Sequence, residues 1–187
     1  MTWRMLNFSD LQQRPVPEQL LDFAQAYLDS AEILCGNLCS DIQHASYAHG
    51  AVTMSLAFHS LELFFKGCIL KLRPGEKFGG KSGHDLDSLS KSYFELYPKN
   101  IFRFEVPFRR EIPELVGAMA TEELAELLAY IGERKKKVPE DQRHRYPIGV
   151  DGKTWDGVFG FEPNSFLITL RELQQHYSRI RPLLDTG

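Results

Sequence analysis

The sequence predicts an all-α chain, an up-and-down helical bundle with a small β-hairpin insertion before its last helix. Two observations carry that expectation. Apolar residues recur at three- and four-residue steps in several long segments, the period of an amphipathic helix, and strands never alternate with helices in the rhythm of a parallel sheet. Composition agrees, since 187 residues with 43% hydrophobic and 25% charged side chains match an ordinary globular chain. Residues 1–16 are set apart as an N-terminal extension, and 17–187 are expected to form a single helical domain with an insertion at about 98–162.

The first helix follows Pro15 and Pro17, where Leu20, Ala24, Tyr27, Leu28, Ala31, Leu34, Leu38 and Ile42 share one face. Pro17 suits its first turn, because the missing N–H has no intrahelical partner there. The second runs from about Ser46 to Arg73 and is ended by Pro74-Gly75. Its stripe of Met54, Phe58, Leu61, Phe65, Cys68, Ile69 and Leu72 is joined by Leu56, Leu63, Phe64 and Leu70 on other faces, so it must be buried on several sides. That surplus of apolar surface predicts a homodimer. Asp85 to Tyr97 makes a third helix, with Asp85 placed to cap it, and Thr121 to Lys136 a fourth. Ile101 to Val106 reads as a loop or edge segment. Val150-Asp151-Gly152-Lys153 is a two-residue hairpin signal between Arg145 and Phe161. The fifth helix, Asn164 to Leu184, has the cleanest stripe: Phe166, Leu170, Leu173, Tyr177, Ile180 and Leu184.

Several function classes are excluded early. A formal charge of −3 does not suit a protein that grips nucleic acid with its whole surface, so any polyanion site must be a local patch. Ala51 to Leu70 is interrupted by His59, Glu62 and Lys66, each costly in hydrocarbon, and reads as a buried helix with no role in a membrane. The opening residues lack the apolar stretch of a signal peptide, and three cysteines suit reduced thiols, so a cytoplasmic chain is expected.

Among the motifs, Gly75-Glu-Lys-Phe-Gly-Gly80-Lys81-Ser82 satisfies the phosphate-loop pattern. It is expected to be an ordinary interhelical loop, because a helix precedes it and Gly83 follows the serine. Cys35, Cys39, His44 and His49 are metal-ligand types, but their spacing does not bring them to one point, and neither a metal nor a cofactor is expected. Glu62 and Lys66 form an i,i+4 pair inside the most apolar helix, so each must reach a partner, a groove or a subunit boundary. The strongest local positive patch is Arg134 to Lys137, followed by Arg143-His-Arg145 beside Tyr146.

The run His59-Ser-Leu-Glu-Leu-Phe-Phe-Lys-Gly-Cys-Ile-Leu, then a glycine-rich loop, then Gly83-His84-Asp85-Leu86 resembles the HEPN domain, the higher eukaryote and prokaryote nucleotide-binding helical domain. Arg145-Tyr146-Pro147 is similar to a short segment of one HEPN branch. The resemblance implies a bundle that dimerises around a cleft, with members that bind nucleotides and members that cut RNA. It implies Arg143, Arg145, Tyr146, Lys66 and His84 as nucleotide or RNA contacts. Cutting members carry an arginine followed after four to six residues by a histidine, a pattern that Arg171 and His176 satisfy. On a regular helix five steps rotate about 140°, so these two side chains are expected to leave in separated directions and not to form an intramolecular catalytic pair.

The expectation is therefore a HEPN-like homodimer binding a nucleotide or RNA phosphate group without catalysis of its own. The alternatives are a metal-independent endoribonuclease of the HEPN toxin type, using Arg171 and His176, and a purely structural domain for dimerisation or for a partner protein.

Overall fold

A computed structural model describes residues 5–43, 45–107, 125–126, 129, 145–148, 152–154 and 160–184. Its α-helices are α1 (Ser9–Gln12), α2 (Val16–Ser40), α3 (Tyr47–Leu72), α4 (Leu86–Leu96) and α5 (Pro163–Ile180), with short 3-10 turns at Lys81–His84, Asn100–Phe102 and Arg181–Leu183. The chain is mostly helical, and no described residue belongs to a strand. No helix among the described residues is long and apolar enough to cross a membrane.

α3 is the centre of the bundle. Leu61, Phe64, Phe65 and Cys68 are sealed, and the buried set extends around its circumference to Thr53, Ala57, Ser60 and Gly67. α2 lies along one side of it through Leu21, Ala24, Leu28, Ala31 and Cys35. The two helices approach closely at Gly67, where a Cβ would stand 2.9 Å from Leu21 and 3.1 Å from the Pro17 carbonyl. Ser60 donates to the Ala24 carbonyl at 2.7 Å, which ties the pair by a buried hydrogen bond. α5 closes another side, with Tyr177 stacked on Phe64 at 4.0 Å between ring centroids and its hydroxyl 3.1 Å from Ser60 Oγ. α4 covers a third through Leu86, Leu89 and Tyr93. Most of the apolar surface of α3 is thus covered within one chain, while Val52 and Leu72 stay exposed on it.

The ends of the helices follow local chemistry. Ser46 and His49 make a reciprocal cap at the start of α3, the Ser46 N–H donating to His49 Nδ1 at 3.2 Å. Asp85 caps α4 by accepting from the Ser88 N–H at 3.1 Å. α5 starts one residue before the expected Asn164, because Glu162 accepts from the N–H groups of Asn164 and Ser165 and Pro163 fills the first helical position.

The segment read as a loop or edge, 101–106, follows a 3-10 turn and packs inward. Phe102, Phe104 and Val106 all join the core, and Tyr93 donates to the Phe102 carbonyl at 2.9 Å. In the expected hairpin region, Ile148 and Thr154 form an isolated antiparallel bridge, and Gly152 has φ +75°. Of the helix expected over 121–136, only Ala125, Glu126 and Ala129 are described, and all three are helical. The Arg134–Lys137 cluster and Arg143 lie outside the described residues.

Candidate functional site

The charged residues inside α3 meet a partner from the loop that follows it. Gly75 and Gly80 take φ +91° and +66°, conformations that side chains resist, and so let the chain reverse after α3. A Cβ at Gly83 would stand 3.0 Å from the Phe78 backbone, tighter than side chains ordinarily come, so glycine eases that close approach. The 3-10 turn at Lys81–His84 then delivers His84 immediately before the Asp85 cap. His84 is thereby held from both sides.

The result is a cluster around one carboxylate. Glu62, 3% exposed, accepts from Lys66 Nζ at 2.6 Å through Oε1, and His84 Nδ1 lies 3.0 Å from that same oxygen. On the other side of the carboxylate, His59 Nδ1 lies 3.6 Å from Oε2. Tyr27 of α2 meets the His59 ring edge-on at 4.6 Å, and Lys66 Nζ sits 5.5 Å from the centre of the Phe78 ring. Lys66 is almost as buried as Glu62, whereas the side chains of His59 and His84 are 35% and 54% exposed. The cluster therefore has a closed interior, formed by the ion pair, and an open edge, formed by the two imidazoles.

Electrostatics keep the carboxylate ionised. Burial alone pushes the Glu62 carboxyl up, but contacts from His59 and Lys66, with the charges of Lys66 and His84, outweigh burial and hold it at about 2. Each histidine turns Nδ1 toward this carboxylate, so ring geometry directs Nε2 the opposite way. Such an arrangement fixes the outward nitrogen of each imidazole, which accepts a hydrogen bond in the neutral ring and donates one in the protonated ring. The ammonium at 2.6 Å already occupies the carboxylate, and no group of three His, Cys, Asp or Glu among the described residues is arranged to hold a metal ion.

Of the described residues expected at a site, Lys66 and His84 are brought together, whereas Arg171 and His176 engage other neighbours. Arg171 donates through Nε to Glu32 of α2 at 3.2 Å and faces a shallow groove between α2 and α5 lined by Asp29, Ile33, Gly36 and Leu167. His176 stacks on Phe104 at 5.1 Å and has Arg179 Nη2 3.2 Å from its Nδ1. Burial, followed by the Arg179 charge, lowers its pKa from the usual 6.5. Arg171 and His176 thus engage different neighbours, as their helical spacing predicts. Arg145 lies over the ring of the exposed Tyr146, 5.9 Å from its centre.

Sequence reasoning did not single out His59 as a site residue. The signal was present, because a histidine three residues before Glu62 shares its helix face. Of the four metal-type residues, Cys35 donates to the Pro163 carbonyl at 3.2 Å and His49 caps α3, while His44 lies outside the described residues. The phosphate-loop pattern follows α3 and ends inside the 3-10 turn at Lys81–His84, with a helix and no strand before it.

No family model matches the chain, and neither does a curated protein or a solved structure.

Proposed function

We propose that this chain is a HEPN-like helical module of the cytoplasm that binds a nucleotide or RNA phosphate group and does not cut RNA by itself. The observation that carries this reading is the meeting of Lys66 and His84 on Glu62, with both imidazoles at the open edge of the cluster. A protonated imidazole is a donor at both nitrogens, one for a carboxylate and one for a phosphate, and Glu62, neutralised by Lys66, sets the direction of the rings. The sequence leading to His84 adds favourable charge, since Arg73, Lys77 and Lys81 outnumber Glu76 there, while Lys71 pairs with Glu18. Arg143, Arg145 and Tyr146 belong to the same proposal as a second contact, and so does the small hairpin expected in that insertion, which the isolated Ile148–Thr154 bridge supports.

Self-association as a homodimer is retained in the proposal, because Ile33 on α2 and Ile168 on α5 are 67% and 60% exposed on helices that pack together. The alternative, a metal-independent endoribonuclease using Arg171 and His176, is the weaker reading, because Glu32 holds Arg171. Titration of the purified protein with a nucleotide and a short RNA, run beside a metal-free cleavage assay, separates the readings. Saturable binding that weakens as salt rises, without cleavage, is expected. Cleavage abolished by His176→Ala would favour the endoribonuclease, and no binding at low salt would leave a purely structural domain for dimerisation or a partner protein.

A further inference from the structure

We infer that His176 and Arg179 of α5 form an acid-sensitive clamp on segment 101–106, and that protonation of His176 breaks the clamp and loosens the segment from the bundle. The inference stands apart from the phosphate-binding reading. Arg179 makes three contacts at once. Its Nη1 donates to the Ile101 carbonyl, and its Nη2 donates to the Arg103 carbonyl at 3.1 Å and stands 3.2 Å from His176 Nδ1. The His176 ring in turn stacks on Phe104 of the same segment, 5.1 Å between centroids. Two side chains one turn apart on α5 thus fasten one side of the segment, and their own contact joins them.

That contact fixes the state of the ring. A guanidinium has five N–H donors and no acceptor, so Nδ1 must accept; an imidazole that accepts there carries its proton on Nε2 and is neutral. A second proton would set an N–H on Nδ1 against an N–H of Arg179, with like charges at hydrogen-bonding distance. If the arginine leaves, the two carbonyls are released; if the ring turns, its stack on Phe104 is lost. Glu172, one turn earlier on α5, favours the proton, but burial and then the Arg179 charge outweigh it and hold the ring below its usual 6.5. From the segment, Arg103 lays its guanidinium over Phe94 of α4 at 4.6 Å, and Glu105 is exposed. Behind Phe104 stand the rings of Phe64 in α3 and Phe94 in α4, each 6.1 Å away between centroids.

The closed clamp rejects the proton that the open one takes up near pH 6.5. Its contribution is therefore complete above about pH 6.5 and is lost as pH falls through the lowered value. The side of the segment toward α4 is held separately, because Tyr93 donates to the Phe102 carbonyl at 2.9 Å and burial raises the pKa of that phenol. Acid should loosen the segment without unfolding the bundle.

The test follows hydrogen exchange at the Phe102 and Arg103 amides, which donate to the Lys99 and Asn100 carbonyls at 3.0 Å each. The intact protein is taken from pH 7.5 to 4, each rate is divided by the unstructured rate at that pH, and the His176 imidazole C–H resonances are followed in the same samples. We expect a His176 midpoint below 6.5 and a loss of protection of at least about threefold with that same midpoint. His176→Gln, which can accept from Arg179 but cannot take up a proton, should hold protection constant across the range. Protection that stays level while His176 titrates, or a midpoint at or above 6.5, would overturn the inference from the wild-type protein alone, whether or not the variant folds. A pH response that persists in His176→Gln would overturn it as well.

Discussion

Removing the Lys66 ammonium leaves the Glu62 carboxylate buried with only two imidazoles to answer it. Truncating one partner of a buried ion pair costs about 3 kcal/mol or more, because the desolvated charge is left behind. Lys66→Ala should therefore lower the urea-unfolding free energy by about 3 kcal/mol, while the double change Glu62→Leu with Lys66→Met should recover most of it. The same carboxylate governs acid stability. Its pKa is about 2 in the folded chain against an ordinary 4.5, so the unfolded state takes up the proton first. The contribution is complete above about pH 4.5 and is lost as pH falls toward 2. Glu62→Gln should flatten that part of the stability curve, measured by unfolding at successive pH values. At Cys35, burial followed by the neighbouring Cys39 pushes the thiol up to about 12, and burial raises Cys68 as well. Cys39, half-buried, should react first with a thiol reagent at neutral pH, and the other two only on unfolding.

At the scale of elements, two helical glycines make opposite demands. Gly67 sits where α2 and α3 touch, and Gly67→Ala should cost about 1–3 kcal/mol as Leu21 and the Pro17 carbonyl are displaced. Gly36 has nothing within 4 Å of where a Cβ would stand, so Gly36→Ala should stabilise by up to about 1 kcal/mol through helix propensity. Thermal unfolding of the two variants checks both signs. The helices themselves were legible because the 3.6-residue period, Pro17, Pro74-Gly75 and Asp85 are local signals. The inward packing of 101–106 was not, since Phe102 and Phe104 alternate with Arg103 and Glu105 over too short a run before Pro107 to settle a face. The start of α5 was misplaced because glutamate is an uncommon cap, although Pro163 marked the first turn. Of the candidate site, the Glu62–Lys66 pair could be read from i,i+4 spacing. The arrival of His84 depends on glycine turns and a tertiary approach that no periodicity encodes.

For the whole molecule, α3 is covered over most of its circumference within one chain, and the exposed apolar residues of α2 and α5 are where assembly is tested. Light scattering on a size-exclusion peak should return about twice the 21.5 kDa chain mass if Ile33 and Ile168 are covered by a second copy, and Ile33→Asp with Ile168→Asp should then return the monomer. A monomeric wild type would remove self-association from the account. The account's central claim is that phosphate is met at the edge of the Glu62 cluster and not at the arginine and histidine of α5. Its most direct test is the affinity of one 5′-phosphorylated RNA for two variants, His84→Gln and His176→Gln, each compared with wild type at the same low salt. The account predicts a loss of at least tenfold for His84→Gln and no change for His176→Gln; the reverse pattern would contradict it.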